Sequence, residues 1–211
     1  MPTIAVLGTL DTKGPEHAFL AEQIRHQGFT TLLIDVATLE HTGLSADIRT
    51  AEVAAQSGVA NWNEVLAKKD RGASVALMAA GAARVLADLV SSGRIQGVIS
   101  MGGGGGTAIG SAAMRGLPLG FPKVMVTTLA SGHTAPYIGT SDLVLFPAVV
   151  DVAGLNRISR LTFENAAGAI CGMVRAAESR RGSPPAGKPI VVASMFGNTT
   201  ICINEAKRLI E

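Results

Sequence analysis

The residues best suited to chemistry are five consecutive glycines, Gly102, Gly103, Gly104, Gly105 and Gly106, which are followed by Thr107. They stand between an apolar, strand-like stretch and a helix-like run of small residues. Glycine has no Cβ, so its backbone can take positive φ and approach an anion, and the N–H groups at a helix start attract phosphate. The tract therefore predicts a phosphate cradle, with the Thr107 hydroxyl as a further donor. The alternative is a flexible or tightly packed turn without a ligand.

The glycine tract departs from two familiar nucleotide-binding motifs. No Gly-Lys-Ser/Thr follows the glycines, so the tract is not a Walker A loop. It also does not open the first strand–helix unit of the chain, which is where the dinucleotide fingerprint lies. Both departures argue against a P-loop hydrolase and against an ordinary NAD dehydrogenase.

A second candidate is the polar turn at residues 8–14, which contains Thr9, Asp11, Thr12 and Lys13. Lys13 can place a cation beside a phosphate, and Asp11 can orient Lys13 or hold a hydrated magnesium ion. The hydroxyls of Thr9 and Thr12 are expected to donate hydrogen bonds to the same ligand. The alternative is a solvated loop whose side chains cap the following helix.

A third candidate is the polar loop after a later strand, with Thr128, Ser131 and His133. A Ser/His nucleophile pair is disfavoured, because residues so close in sequence seldom form a base-to-nucleophile hydrogen bond and no G-x-S-x-G elbow is present. We expect these residues to contact a ligand or to form a plain polar loop.

Acidic and amide residues near other strand ends have mainly structural interpretations. Asp151 is expected to cap the last long helix or to pair with Arg157, while Asn156 could instead reach a ribose or a base. Asp35 ends the second strand, where an acid can bind ribose hydroxyls, but the glycine fingerprint that accompanies this role is missing.

Strands and helices alternate along the chain, which predicts an α/β fold with a Rossmann-like open, mainly parallel sheet flanked by helices. A first helix is predicted from Pro15 to Gln27, others at residues 50–69, 74–92, 107–115 and 154–180, and a long connection carrying Glu40, His41 and Gly43 at residues 37–50. Predicted strands cover residues 3–7, 30–36, 95–101, 123–128 and 142–150. Ligands bind outside the carboxyl ends of parallel strands, so the candidate turns are expected to share one crevice.

The sequence also predicts a domain boundary. Residues 1–181 form the nucleotide-binding α/β subdomain, and the Gly/Ser/Pro-rich residues 182–187 have the composition of a linker. Residues 188–211 resemble the first strand–helix unit of a second α/β subdomain, with a strand at residues 189–193 and a helix from Ile201. One such unit cannot bury its own apolar faces, which indicates a truncated second subdomain.

Composition limits the class of protein. Of 211 residues, 47% are hydrophobic and 16% are charged, so a sizeable core can form. The net charge of +2, without a long basic run, gives no indication of a nucleic-acid partner. Cys171 and Cys202 have neither disulfide-framework nor metal-site spacing. No secretory signal is visible, and the longest uncharged run has glycines at its centre. We therefore expect a cytoplasmic protein without a membrane partner.

Four motifs in order carry a family resemblance. They are Gly8-Thr-Leu-Asp-Thr-Lys-Gly14, Gly102-Gly-Gly-Gly-Gly-Thr107, Asp151-Val-Ala-Gly-Leu-Asn-Arg157 and Ser194-Met-Phe-Gly-Asn-Thr-Thr200. The sequence resembles the Tm-1-like ATP-binding domain family of largely uncharacterised bacterial and fungal proteins, over essentially its whole length. The resemblance implies two Rossmann-like subdomains, with ATP bound in the first, with or without Mg²⁺.

Three hypotheses of function stay open. The first is an ATP-binding domain whose phosphates lie on residues 102–107, with a nucleotide or another phosphate-bearing small molecule as its partner. The second is an enzyme acting on a phosphorylated or carboxylated metabolite, with its site completed by the second subdomain. The third is an interaction module or homo-oligomer, built on the small-residue helices at residues 107–115 and 165–177.

Overall fold

The computed structural model describes residues 1–39, 44–180 and 191–210. The chain divides into two units, Met1–Ser179 and Arg180–Glu211. The predicted loop residues Glu40, His41 and Gly43 and the predicted linker at residues 182–187 lie outside the described residues.

The first unit is built on a five-stranded, wholly parallel sheet in the order β2-β1-β3-β4-β5. This arrangement confirms the predicted open α/β fold. The strands are β1 (Thr3–Gly8), β2 (Thr30–Asp35), β3 (Gly97–Gly102), β4 (Lys123–Thr127) and β5 (Val144–Pro147). The strand order reverses direction between β1 and β3, and a parallel sheet opens a crevice at the carboxyl ends of two such strands.

Helices cover both faces of this sheet. They are α1 (Leu10–His26), α2 (Thr50–Gln56), α3 (Trp62–Ala67), α4 (Arg71–Ser91), α5 (Gly104–Arg115), α6 (Ala135–Ile138) and α7 (Arg157–Arg180). Side chains alternate between the two faces of a strand. Ile4 and Val6 of β1 therefore pack against α1 and α7, whereas Ala5 and Leu7 pack in a second core with α2, α3, α4 and α5.

Several helix boundaries differ from those predicted. Helix α1 begins at Leu10 rather than Pro15, and α5 begins at Gly104 rather than Thr107. The helix predicted over residues 50–69 is two helices, α2 and α3, between which Gly58 has a φ of 90°. A short helix, α6, also forms inside the predicted loop at residues 129–141. Backbone hydrogen bonding extended α1 and α5 into segments that composition alone marked as turns.

Helix α4 has the length and apolar composition of a membrane span, the one such helix in the described part of the chain. One long side of it is buried, however, with Met78, Ala82, Leu86 and Leu89 in the second core. A core helix of a globular domain has this pattern. The helix is therefore explained by its packing.

The small residues of α5 serve the core. A Cβ atom added to Gly110 would lie 2.6 Å from Ser100 Oγ and 2.9 Å from Met125 Sδ, so the helix rests almost directly on β3 and β4. Ile109 and Ala113 are buried beside it. The sheet therefore occupies this side of α5, one of the two small-residue helices considered for self-association.

The second unit contains a 3₁₀ turn at Gly197–Thr199 and helix α8 (Thr200–Ile210), which agrees with the predicted helix. The strand predicted at residues 189–193 is absent over residues 191–193, while residues 189 and 190 lie outside the described range. A strand requires a hydrogen-bonded neighbour. Among residues 191–210 the unit provides no second strand.

Candidate functional site

A cleft of about 780 Å³ lies at the carboxyl ends of β1, β2 and β3, where the strand order reverses. Its size is in the usual range for small-molecule sites. It is lined by Thr9, Asp11, Thr12, Lys13, Thr38, Leu39, Asn63, Leu66, Ala67, Lys69, Asp70, Arg71, Ser74, Val75, Gly103, Gly104, Gly105, Gly106 and Ile109. The first and second candidate turns therefore meet here. We call this space the first cleft.

The glycines that join β3 to α5 have two different roles. None of the five has a φ in the left-handed region, so positive φ is not what requires glycine here. A Cβ on Gly102 would lie 2.9 Å from Gly106 Cα, and one on Gly106 would lie 3.3 Å from the Met101 carbonyl oxygen. These two glycines are required because the strand end and the helix start touch.

The three glycines between them are not crowded by the protein. A Cβ on Gly104 would meet nothing within 4 Å, and one on Gly105 would lie 3.5 Å from Arg71 Nη2. Packing within the protein therefore does not require glycine at these two positions, although each glycine weakens a helix by about 0.5 to 1 kcal/mol relative to alanine. The space above Gly104 and Gly105 is therefore open, and a side chain at either position would fill part of it.

The N–H groups of this helix start point out of the helix. The Thr107 N–H donates to the Gly103 carbonyl at 2.8 Å, so the N–H groups of residues 104–106 precede that hydrogen bond. A helix amino end carries partial positive charge and unpaired donors. The floor of the first cleft is therefore an anion-attracting surface.

Thr107 itself is directed into the protein. Its side chain is buried, and its hydroxyl lies 2.7 Å from Thr127 Oγ1 and 3.3 Å from the Gly102 carbonyl oxygen. These contacts tie α5 to the ends of β3 and β4. Thr107 does not line the first cleft, and its predicted donation to a ligand is replaced by this internal role.

Lys13 lies at a kink in α1. Its φ of −136° and ψ of 29° are not helical, and its carbonyl oxygen is 2.7 Å from Nδ1 of His17. His17 is fully buried, and a Cβ on Gly8 would lie 2.2 Å from its ring. Burial lowers the pKa of His17, so the neutral imidazole donates from Nδ1 to this carbonyl. No local pattern in the sequence indicates this support for Lys13.

The carboxylate of Asp11 organises the cleft wall. Its Oδ2 accepts hydrogen bonds from the N–H groups of Thr38 and Leu39 at 3.1 and 3.0 Å, and its Oδ1 accepts one from the Thr12 hydroxyl. Thr9 is nearly buried, and its carbonyl accepts from the Lys13 N–H. Asp11 therefore joins the turns after β1 and β2.

Asp35 has a comparable structural role. Its Oδ1 accepts from the N–H groups of Leu10 and Ala37, and its Oδ2 accepts from the Thr50 hydroxyl at 2.7 Å. The side chain is buried and lies outside the cleft lining. It fixes the start of α1 and the start of α2.

The turn between α3 and α4 supplies two further cations, Lys69 and Arg71, which sequence analysis did not select. Asp70 caps α4 by accepting the Ala73 N–H at 2.9 Å, which sets Arg71 at the first helical position. Lys69 has a φ of 52°. The signal in the sequence was the charged run at residues 68–71 before a helix, but nothing local indicates that it faces the glycines.

The third candidate loop lies at a second cleft. This space of about 440 Å³ is lined by Thr127, Thr128, Ala130, Ser131, Pro147, Ala148, Val149, Val150 and Asp151. His133 is exposed and lines neither cleft. The expected single crevice is therefore two clefts, because the turn after β4 lies on the other side of β3 from the turn after β1.

The helix cap at α7 is Asn156 rather than Asp151. Asn156 Oδ1 accepts from the N–H groups of Ile158 and Ser159, both at 2.9 Å. This bonding occupies the amide oxygen that could have reached a ribose. Asp151 does not cap this helix and lines the second cleft instead.

Comparisons with known proteins identify the family to which the chain is similar. The family model for the N-terminal domain of the uncharacterised protein family UPF0261 matches residues 2–179. A UPF0261 protein of Mesorhizobium japonicum is 46% identical over 96% of this chain and 49% of its own length, and one of Clostridium tetani is 43% identical over 99% and 50%. The tomato protein named ToMV resistance protein Tm-1 is 35% identical over 98% of this chain and 29% of its own length. The chain thus spans about half the length of its bacterial relatives.

Proposed function

This chain belongs to the UPF0261 family, and we propose that it binds ATP in the first cleft. The observation that carries the proposal is the open helix start at residues 103–106, which shares one cleft with Lys13, Lys69 and Arg71. The family resemblance seen in the sequence, to ATP-binding domains, supports the same choice of ligand.

The phosphates are assigned to the glycine end of this cleft. Backbone N–H groups of a helix start bind phosphate oxygens without side chains, and glycine lets the oxygens come close. Arg71 lies over Gly105 and can present two N–H donors to one phosphate. Lys13 and Lys69 add point charges, so three cations offset the charge of a polyphosphate.

The nucleoside is assigned to the apolar part of the same cleft. Leu66, Ala67 and Val75 line it from α3 and α4, and Ile109 lines it from α5. Ligand sites commonly combine such an apolar wall with a few convergent polar groups. An adenine ring can pack there while its phosphates reach the glycines.

A magnesium ion fits this cleft only as a companion of the nucleotide. The two carboxylates lining it, Asp11 and Asp70, already accept backbone N–H groups. The described residues contain no cluster of three or more His, Cys, Asp or Glu that could hold a metal. Mg²⁺ usually binds substrate phosphates with one or two carboxylates, so in this proposal the phosphates hold it.

Thermal unfolding tests the proposal. ATP at 100 times its dissociation constant stabilises a domain by about 2.7 kcal/mol, which raises Tm by about 5 to 10 °C for this chain length. The scan includes ADP, ATP with magnesium, magnesium alone and a sodium chloride control of equal ionic strength. An unchanged Tm with every nucleotide would overturn the proposal.

Arg71→Met is expected to weaken ATP binding by about 10- to 100-fold. The substitution keeps an unbranched side chain but removes the charged guanidinium group, and hydrogen bonds to charged groups contribute about 1.5 to 3 kcal/mol. Isothermal titration calorimetry gives the affinity. The matched control is Arg94→Met, at an exposed arginine just before β3 and outside the cleft. Equal affinities for the two variants would remove Arg71 from the site.

Self-association is a second candidate function, favoured by one side of α7. Ile158 and Leu161, two apolar residues near the start of this helix, are 49% and 56% exposed. Neighbouring apolar residues on a helix surface can pack against another helix. Light scattering of the chain and of Ile158→Lys/Leu161→Lys tests this, and a monomer at micromolar concentration would contradict it.

A further inference from the structure

The second cleft contains polar groups that the proposed phosphate site does not use. The Thr128 and Ser131 hydroxyls and the Asp151 carboxylate form no hydrogen bond or ion pair with any residue that the structure describes. Asp151 is the one charged residue among the described residues that line this cleft. Pro147 and Val149 add an apolar wall. The cleft thus combines two hydroxyls, a negative charge and an apolar surface.

The backbone beside these groups is strained. Val149 has a φ of 67°, and the Val150 N–H donates to the Ala148 carbonyl at 2.7 Å, which makes a γ-turn centred on Val149. Left-handed φ is an outlier for a β-branched residue, and such strain clusters at ligand sites. The Val149 side chain is 77% exposed, so its burial does not compensate for the turn.

The two clefts adjoin at Gly103. Gly103 lines the first cleft, and a Cβ added to it would lie 3.8 Å from Oγ1 of Thr128, which lines the second. The Thr128 N–H donates to the Gly102 carbonyl at 3.4 Å, which keeps this boundary narrow. A polyphosphate that runs across the glycines from the apolar wall of α3 and α4 ends beside Thr128.

We propose that the second cleft binds a second small ligand next to the terminal phosphate of the nucleotide. This inference rests on the proposed function of the first cleft. Thr128 contacts the terminal phosphate, and Ser131 and Asp151 bind the second ligand. Because Asp151 repels anions and accepts hydrogen bonds, the ligand is a neutral or cationic molecule that carries hydroxyl or amino groups.

The position of the terminal phosphate is tested with Thr128→Val, which keeps the shape of the side chain but removes its hydroxyl. Calorimetry is expected to show ATP binding weakened about tenfold and ADP binding changed less than about twofold. The matched control is Thr140→Val, at an exposed threonine that lines neither cleft. Equal effects on ATP and ADP, or none on either, would overturn this placement.

The ligand class is tested by NMR titration of the ¹⁵N-labelled chain with glycerol, ethanolamine and acetate, with and without ATP. Glycerol or ethanolamine should shift the amide signals of Ser131 and Asp151, whereas acetate should not. Asp151→Asn should reduce the effect of ethanolamine more than that of glycerol. Absence of shifts with both probes, or equal shifts with acetate, would overturn the proposed class.

The same experiments separate the two proposals. If neither ATP nor ADP binds the unmodified chain, the nucleotide function fails and the placement of a terminal phosphate fails with it. The nucleotide-free titration then decides the second cleft alone. Shifts confined to residues 128–131 and 148–151 would retain it as a ligand site, and their absence would reject it.

Discussion

Gly104→Val is expected to weaken nucleotide binding strongly while leaving the fold intact. A Cβ at this position meets nothing within 4 Å, so the larger side chain is accommodated by the folded protein. Valine is also a better helix former than glycine in the first turn of α5. Its methyl groups, however, occupy the space assigned to phosphate. Overpacking costs about 1 to 3 kcal/mol even in a protein core, so we expect an affinity loss of about 5- to 150-fold.

The matched control is Gly116→Val, at the other end of the same helix. Gly116 is exposed, has a φ of −81°, and would also place its Cβ in open space. Calorimetry with ATP and circular dichroism of both variants complete the comparison. If Gly104→Val folds and retains the affinity of Gly116→Val, the glycines do not hold the phosphate.

Asp142→Ala is expected to destabilise the first unit by about 3 kcal/mol, because it leaves a buried ammonium group without its carboxylate. The Lys123 side chain has no solvent exposure, and its Nζ lies 2.5 Å from Asp142 Oδ1. Nζ also donates to the Pro118 carbonyl at 2.7 Å. For a domain of this size the loss lowers Tm by about 6 to 12 °C. Urea unfolding measures it directly.

The companion variant is Lys123→Met/Asp142→Ala, which removes both charges. A buried ion pair replaced by apolar groups often leaves stability unchanged. We therefore expect the double variant to recover most of the loss, while Asp88→Ala, at an exposed helix position, stays within about 0.5 kcal/mol of the unmodified chain. Equal destabilisation of the single and double variants would show that the ion pair is not the cause.

The pH dependence of this contribution has a definite sign. Burial raises the pKa of Asp142, but hydrogen bonds from Lys123 and the Gly120 N–H outweigh it and hold the pKa below its ordinary value of 3.8. A carboxyl with a lowered pKa stabilises the fold fully above that ordinary value, and the effect is lost as the pH falls through the folded-state pKa. The stability difference between the unmodified chain and Asp142→Asn should therefore shrink below about pH 4.

Local sequence features were sufficient for the elements and for part of the candidate site. Apolar runs of strand length predicted the five strands, and the glycine tract was correctly predicted at the junction of a strand and a helix. The turn with Lys13 also reached the same cleft as the glycines. Both turns follow strands that end at the same edge of a parallel sheet, which is why their meeting was predictable.

The sequence by itself determined the alternation of strands and helices, because side-chain periodicity and glycine content are local properties. Only the tertiary structure decided which polar groups share a cleft. Strand β3 lies between β1 and β4, so Thr128 and Ser131 face a different cleft from Lys13. Arg71 reaches Gly105 because α4 packs beside α5, although the two residues are far apart in the chain. Strand order and helix packing are long-range properties, and they decided which residues line the first cleft.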